Sequence, residues 1–155
     1  MNTKSRRITA AIAAAAVATG VGFAATGAAN AGTIPVTYPG QPSVAMTITN
    51  YTNQFESLRY EYTDGQFVNA PQQMLAPYAS ETVVATAPDG HSGLSTDIRY
   101  QVGMFGPSAN YAMAQWPGVT NTGNTAVFGN GSQRHWISTG VSTGSPNVNV
   151  SYDLW

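Results

Sequence analysis

His91 and His135 are the only histidines in the chain, and cysteine is absent. A zinc site needs three or four nitrogen, sulfur or oxygen ligands at characteristic spacings. Neither an H-x-H pair nor an H-E-x-x-H frame occurs, so a third ligand would have to come from a distant stretch. His91 is therefore expected in a loop and His135 on a sheet surface. Gly90-His91-Ser92-Gly93 places a serine beside a histidine but lacks the G-x-S-x-G frame and the strand-to-helix elbow that exposes a nucleophile. A triad of Ser92, a histidine and an acid stays open on geometry alone. Glu56, Glu61 and Asp64 offer the paired carboxylates that glycoside cleavage uses, yet Glu61 falls on the polar face of an alternating run, the ordinary place for a solvated charge. Without cysteine there is no thiol catalysis, thiolate metal site or thiol redox chemistry. No glycine-rich loop leads into a helix that could hold phosphate. These residues call for no cofactor, no metal and no reaction, and the chain is expected not to be an enzyme.

Aromatic residues carry what remains. Trp116 sits in Gln115-Trp116-Pro117-Gly118, at the end of a run that begins with Tyr111. Trp136 stands in Arg134-His135-Trp136-Ile137, and Trp155 is the last residue. An aromatic at a strand end beside a Pro-Gly turn can present an amphipathic face to an interface that is apolar on one side and wet on the other. The alternative is that Trp116 and Trp136 close the ends of a core. Both readings stand at this level.

The elements that would position these side chains are strands. Val44, Met46 and Ile48 alternate with Ala45, Thr47 and Thr49, a period of two. Leu58, Tyr60 and Tyr62 alternate with Arg59 and Glu61, and Asp64-Gly65 predicts a hairpin turn that returns at Phe67-Val68. Residues 69–78, with Pro71 and Pro77, form an irregular crossing before a strand over 81–87. A loop over 88–93 follows. The clearest pattern comes next: Leu94, Thr96, Ile98, Tyr100, Val102 and Met104 share one face, while Ser95, Asp97, Arg99 and Gln101 share the other. Gly106-Pro107 turns the chain into a strand over 111–116. A polar loop over 117–124, a short strand over 126–128, a turn at Asn130-Gly131 and a strand over 135–139 precede the closing alternation of Val148, Val150, Tyr152 and Leu154. No helical period persists after residue 31. Strands spaced about ten residues apart with turn chemistry between them predict an all-β chain, a single antiparallel β-sandwich domain.

Residues 1–31 have the form of a cleaved signal peptide. Lys4, Arg6 and Arg7 precede an uncharged Ala-rich run from Ile8 to Ala25, and Ala29-Asn30-Ala31 supplies the small residues a signal peptidase requires. Thr and Gly dilute the run too much for a membrane anchor. Ser5-Arg6-Arg7 resembles a twin-arginine signal, but Thr9 stands where that signal carries a large apolar side chain, which favours the general secretory route. The chain then divides into 1–31, an extended arm over 32–42 with Pro35, Pro39 and Pro42, and the sandwich over 43–155. The exported part carries three arginines, no lysine and seven acids, a net charge of −4. That excludes the basic stripe a nucleic-acid partner needs and electrostatic docking on anionic lipid. Asn50-Tyr51-Thr52 and Asn130-Gly131-Ser132 match the short N-glycosylation pattern, which carries no meaning in a bacterial product.

The order of these pieces resembles the aegerolysins and the small bacterial insecticidal crystal proteins grouped with them. The resemblance spans most of 43–154. It rests on Met46-Thr47-Ile48-Thr49-Asn50-Tyr51-Thr52 at the start, the proline pair before a Ser-Glu-Thr strand, the glycine-bearing loop 89–93, the 111–118 segment, the Thr-Asn-rich stretch 120–125, Trp136-Ile137 and the closing Val-Asn-Val-Ser-Tyr-Asp-Leu strand. It implies a non-enzymatic β-sandwich that binds membrane lipid, notably sphingolipid or sterol-rich membrane, and, as in several members, one component of a toxin with a larger pore-forming protein partner; secretion is expected from residues 1–31. By position it implies Trp116, Pro117 and Gly118 as the lipid-facing corner, with Tyr111 on the strand before, Trp136 on the strand after, and Asp89 as the acidic head-group reader. Two features depart from the family: Trp116 stands where many members carry an acid before the corner proline, and many members have no signal peptide. Another secreted binder, for a glycan or a protein, is the competing reading.

Overall fold

A computed structural model describes residues 41–143 and 146–155. The expected signal peptide and all of the expected arm except Gln41 and Pro42 lie outside these residues. Among the described residues eleven strands form two facing sheets. The first sheet has the order β10 (Ile137–Thr143), β11 (Asn147–Leu154), β1 (Ser43–Asn50), β5 (Ser80–Thr86), β3 (Gln66–Asn69). The second has the order β4 (Met74–Leu75), β2 (Glu56–Thr63), β6 (Leu94–Val102), β7 (Ser108–Trp116), β8 (Val119–Asn121), with β9 (Ala126–Phe128) also paired to β7. All pairings are antiparallel except β1 with β11, which run parallel in register from Ser43↔Asn147 to Asn50↔Leu154. The all-β sandwich predicted from the alternating runs is the architecture observed.

The alternation in β6 places Leu94, Thr96, Ile98, Tyr100 and Val102 inside, facing Val44, Met46, Ile48, Val148, Val150, Tyr152 and Leu154 of the other sheet. Burying these side chains supplies the main stabilisation, roughly 1.5–3 kcal/mol for each large one. Three tyrosines cross the middle of this layer edge to face: Tyr100 and Tyr111 at 6.2 Å, Tyr111 and Tyr152 at 5.6 Å.

Several expectations fail for local reasons. Asp64-Gly65 does not close a hairpin. It carries the chain from β2 in one sheet to β3 in the other, because Asp64 is held by the start of β6, its Oδ1 accepting from the Ser95 amide at 2.7 Å. Leu58 does not share a face with Tyr60 and Tyr62. The β2–β6 register runs Leu58↔Tyr100 and then Tyr60↔Arg99, so Arg59 is an extra, bulged residue. A bulge reverses the alternation beyond it. Tyr60 and Tyr62 consequently turn outward and stand exposed. Met104 leaves the buried face as well, since β6 ends at Val102. The 117–124 loop contains β8, the 69–78 crossing contains β4, and β10 begins at Ile137 after a single 3-10 turn over Ser132–Arg134.

Candidate functional site

The sandwich has two ends of different character. One end gathers the junction between β1 and β2, the turn between β6 and β7, and the edges of β10 and β11. Here Asn50 fixes the chain as it leaves β1. Its Nδ2 donates to the carbonyls of Gln54 (2.7 Å) and Ala76 (3.1 Å), and its Oδ1 accepts from the backbone and hydroxyl of Thr52. Asn50, the acceptor position of the glycosylation pattern, is thus fully buried. Beyond this anchor Tyr51 stacks on Trp155 with ring centroids 4.1 Å apart, and Trp155 stacks in turn against Trp136 at 6.2 Å. The backbones of Trp136 and Trp155 pair with each other, N to O in both directions, which holds the row rigid.

At the same end the turn 103–106 lifts Met104 and Phe105 into solvent, 78% and 83% exposed. Gly103 makes the turn possible. Its φ is +66°, and a Cβ there would meet Gln54 Oε1 at 2.1 Å; its amide donates to the Phe55 carbonyl at 2.7 Å. Phe55 and Met74 are exposed next to it, and Phe128 closes the same end across β7. Isolated exposed apolar residues are ordinary, but a contiguous group marks a contact surface. Between Phe55, Met74 and Met104 lies an open groove of about 610 Å³, with Arg59 on its wall.

The opposite end holds most of the residues expected from sequence. Pro117 and Gly118 turn β7 into β8, Gly118 at φ +77°, where glycine is favoured. Trp116 is 49% exposed and rests over Gly93, whose added Cβ would come within 2.8 Å of the Trp116 ring. Asp89 is exposed in the neighbouring loop, where Gln41 Nε2 donates to its Oδ1. Two corrections follow. Tyr111 is not at this surface: it is 0% exposed, in the middle of the core. Trp136, 61% exposed, is at the other end of the sandwich from Trp116. Trp116, Pro117, Gly118 and Asp89 therefore share one end, while Trp136 belongs to the aromatic row at the other.

The remaining candidates are dispersed. His91 and Ser92 lie in the loop beside Asp89, whereas His135 is at the aromatic end with its Nδ1 3.1 Å from the Trp155 carbonyl. Glu56 and Asp64 are separated by the length of β2, about 25 Å at the rise of an extended strand. That is well beyond the spacing of a glycosidase pair. Among the described residues no three His, Asp or Glu side chains converge as metal ligands.

Glu56 instead belongs to a buried network beneath the aromatic end. Tyr111 donates its hydroxyl to Glu56 Oε2 at 2.6 Å, while Glu56 Oε1 is buried with no hydrogen-bond partner. Burial pushes the Glu56 carboxyl up to about 7, against the lowering effect of the Tyr111 bond, with the nearby Glu81 charge adding to the rise. Glu81 accepts from the Gln72 amide at 2.8 Å and lies 2.5 Å from the Tyr100 hydroxyl, which is also 2.8 Å from the Gln72 carbonyl. Its carboxyl is raised as well, again chiefly by burial. Tyr100, Tyr111 and Tyr152 all rise for the same first reason. The Tyr100 hydroxyl has one proton and two acceptors, an arrangement completed when Glu81 carries a proton of its own. These acids are structural crosslinks, not exposed acid–base groups.

No family model matches the chain, and no curated protein matches it. Among solved structures it is similar to the lipid binding protein Nakanori, with a TM-score of 0.58 at 11% identity over 73% of this chain and 70% of that one. The likeness is one of fold.

Sequence reasoning missed Met104, Phe105 and Phe55. The available signal was the glycine on each side of Met104-Phe105: two apolar residues between turn formers are displayed, not buried. The stacking of Tyr51 on Trp155 joins residues at the ends of two strands far apart in sequence, and only the parallel β1–β11 pairing reveals it.

Proposed function

We propose that this protein is a secreted, non-enzymatic binder of membrane lipid surfaces that engages the bilayer with its aromatic end. The observation that carries the proposal is the displayed Met104-Phe105 turn, at the same end of the sandwich as the Tyr51–Trp155–Trp136 row. Apolar tips suit the acyl region, and stacked indoles and phenols suit the head-group layer. Three exported arginines against seven acids supply little attraction to anionic lipid, so binding should be apolar in character and tolerant of salt. The fold's likeness to a lipid-binding protein supports the same reading. Sphingolipid or sterol-rich membrane as the target, a larger pore-forming protein as partner, a toxin role and export through residues 1–31 belong to this proposal as well. They rest on the aegerolysin-like order of elements and on the leader-like composition.

The test is co-sedimentation of residues 32–155 with vesicles containing sphingolipid, sterol or phosphatidylcholine alone. Removing two displayed apolar side chains forfeits about 3 kcal/mol of burial, so Met104→Ser with Phe105→Ser should weaken binding about 100-fold. Trp116→Ala should retain it. Loss in Trp116→Ala with retention in the double variant would move the site to the Trp116 corner. Absence of binding to every vesicle would remove lipid and turn the search to glycans and proteins.

A further inference from the structure

The bulge in β2 gives the aromatic end a chemical specificity. Arg59 is the unpaired residue of that bulge, and bulges re-aim side chains where they occur. Its guanidinium is fixed before any ligand arrives: Nε and Nη2 both donate to Gln101 Oε1, at 2.9 and 2.6 Å, and Gln101 Nε2 donates to the Met104 carbonyl at 3.1 Å. The cation is therefore tied to the same turn that displays Met104 and Phe105. Two of its five N–H donors are used and three are left. Among the described residues, the other arginine on this sheet face, Arg99, is instead covered by the Tyr60 and Phe128 rings, 5.5 and 5.0 Å from their centroids. Arg59 stands over the groove whose other walls are Phe55, Met74 and Met104, with Ser57 at its side.

An apolar groove with one oriented guanidinium on its wall matches an amphiphile whose anion lies directly above its apolar part. A planar fork of donors suits phosphate, to which it can bond through two oxygens at once. We propose that this groove seats the phosphate of a phospholipid head group at the membrane surface. Arg59 donates to the phosphate oxygens, and Phe55, Met74 and Met104 enclose the glycerol or sphingoid segment below. Charge complementarity selects this occupant: a neutral glycolipid would fill the apolar walls and leave the guanidinium without an anion. The proposal rests on the reading that the aromatic end meets the bilayer, and it adds a preference which that reading alone does not require.

The experiment compares residues 32–155 on two kinds of vesicle without net charge, phosphatidylcholine and galactosyl diacylglycerol. The second has acyl chains and no phosphate. The native protein should prefer phosphatidylcholine about tenfold. Arg59→Gln should bring phosphatidylcholine binding down to the galactolipid level and leave galactolipid binding unchanged. Arg59→Lys, which keeps the charge without the fork, should fall between. Thermal unfolding of each variant checks that the fold is retained. Equal native binding to both vesicles, abolished in the Met104→Ser, Phe105→Ser protein, would overturn the phosphate seat and leave the lipid-binding end standing. A phosphatidylcholine preference that survives Arg59→Gln would also overturn it. Failure of the native protein to bind either vesicle would overturn the phosphate seat, while the lipid-binding reading falls only if the sphingolipid and sterol vesicles are not bound either.

Discussion

Glu56→Gln tests the physical account of the core most sharply. In the folded protein the Glu56 carboxyl is pushed from 4.5 to about 7 by burial, with Oε1 lacking any partner. In the unfolded chain it returns to its ordinary range. The raised folded value means that the native state holds a proton which the unfolded state has already released. Stability from this group is complete below pH 4.5 and is lost as pH rises toward 7. A shift of about 2.5 pH units corresponds to roughly 3 kcal/mol at 1.36 kcal/mol per unit. Glutamine keeps the shape, accepts the Tyr111 hydrogen bond and never ionises. The native protein should therefore lose about 3 kcal/mol of unfolding free energy between pH 4.5 and 8 through this residue. The variant should lose only what Glu81 contributes in the same direction. At pH 8 the variant should be the more stable, by about 3 kcal/mol of unfolding free energy. Urea titrations monitored by tryptophan fluorescence at pH 4.5, 6, 7 and 8 measure both curves. Parallel curves for the two proteins would refute the assignment of Glu56 as a neutral buried acid at low pH.

Two further variants separate architecture from surface. Asn50→Ala removes an amide that joins two carbonyls and holds Thr52, leaving buried acceptors unpaired, and should cost about 3 kcal/mol in urea unfolding. Trp116→Ala removes a half-exposed ring resting on Gly93 and should cost about 1 kcal/mol in the same assay, with vesicle binding kept.

The fold was legible wherever one face of a strand is buried and the other is wet. In β6 five alternate side chains and in β11 four are inside, and the period of two announces both strands. Legibility fails where a tertiary partner decides. Asp64-Gly65 has hairpin chemistry, but the Ser95 amide takes the Asp64 carboxylate and the chain changes sheets. The run Leu58, Tyr60, Tyr62 looks regular because a single bulged residue leaves no mark on the order of polar and apolar letters. Tyr111 shows the limit for sites. A tyrosine on a strand before a Trp-Pro-Gly corner is compatible with surface or core, and it is the buried Glu56, from a different strand, that draws its hydroxyl inward. Trp116 was expected at a strand end and ends β7, while Trp136 was expected within a strand and stands just before β10. Their placement at opposite ends depends on strand direction within the sheets, which no local pattern encodes.

Under the proposed function the aromatic end, and not the Trp116 corner, meets the bilayer. The tryptophans themselves report on it, because Trp136 and Trp155 lie at one end and Trp116 at the other. Quenching of tryptophan fluorescence by vesicles of brominated phosphatidylcholine should be measured in Trp116→Phe, which reports only the aromatic end, and in Trp136→Phe with Trp155→Phe, which reports only the corner. Strong quenching is expected in the first protein and little in the second. Quenching confined to the second would contradict the proposal.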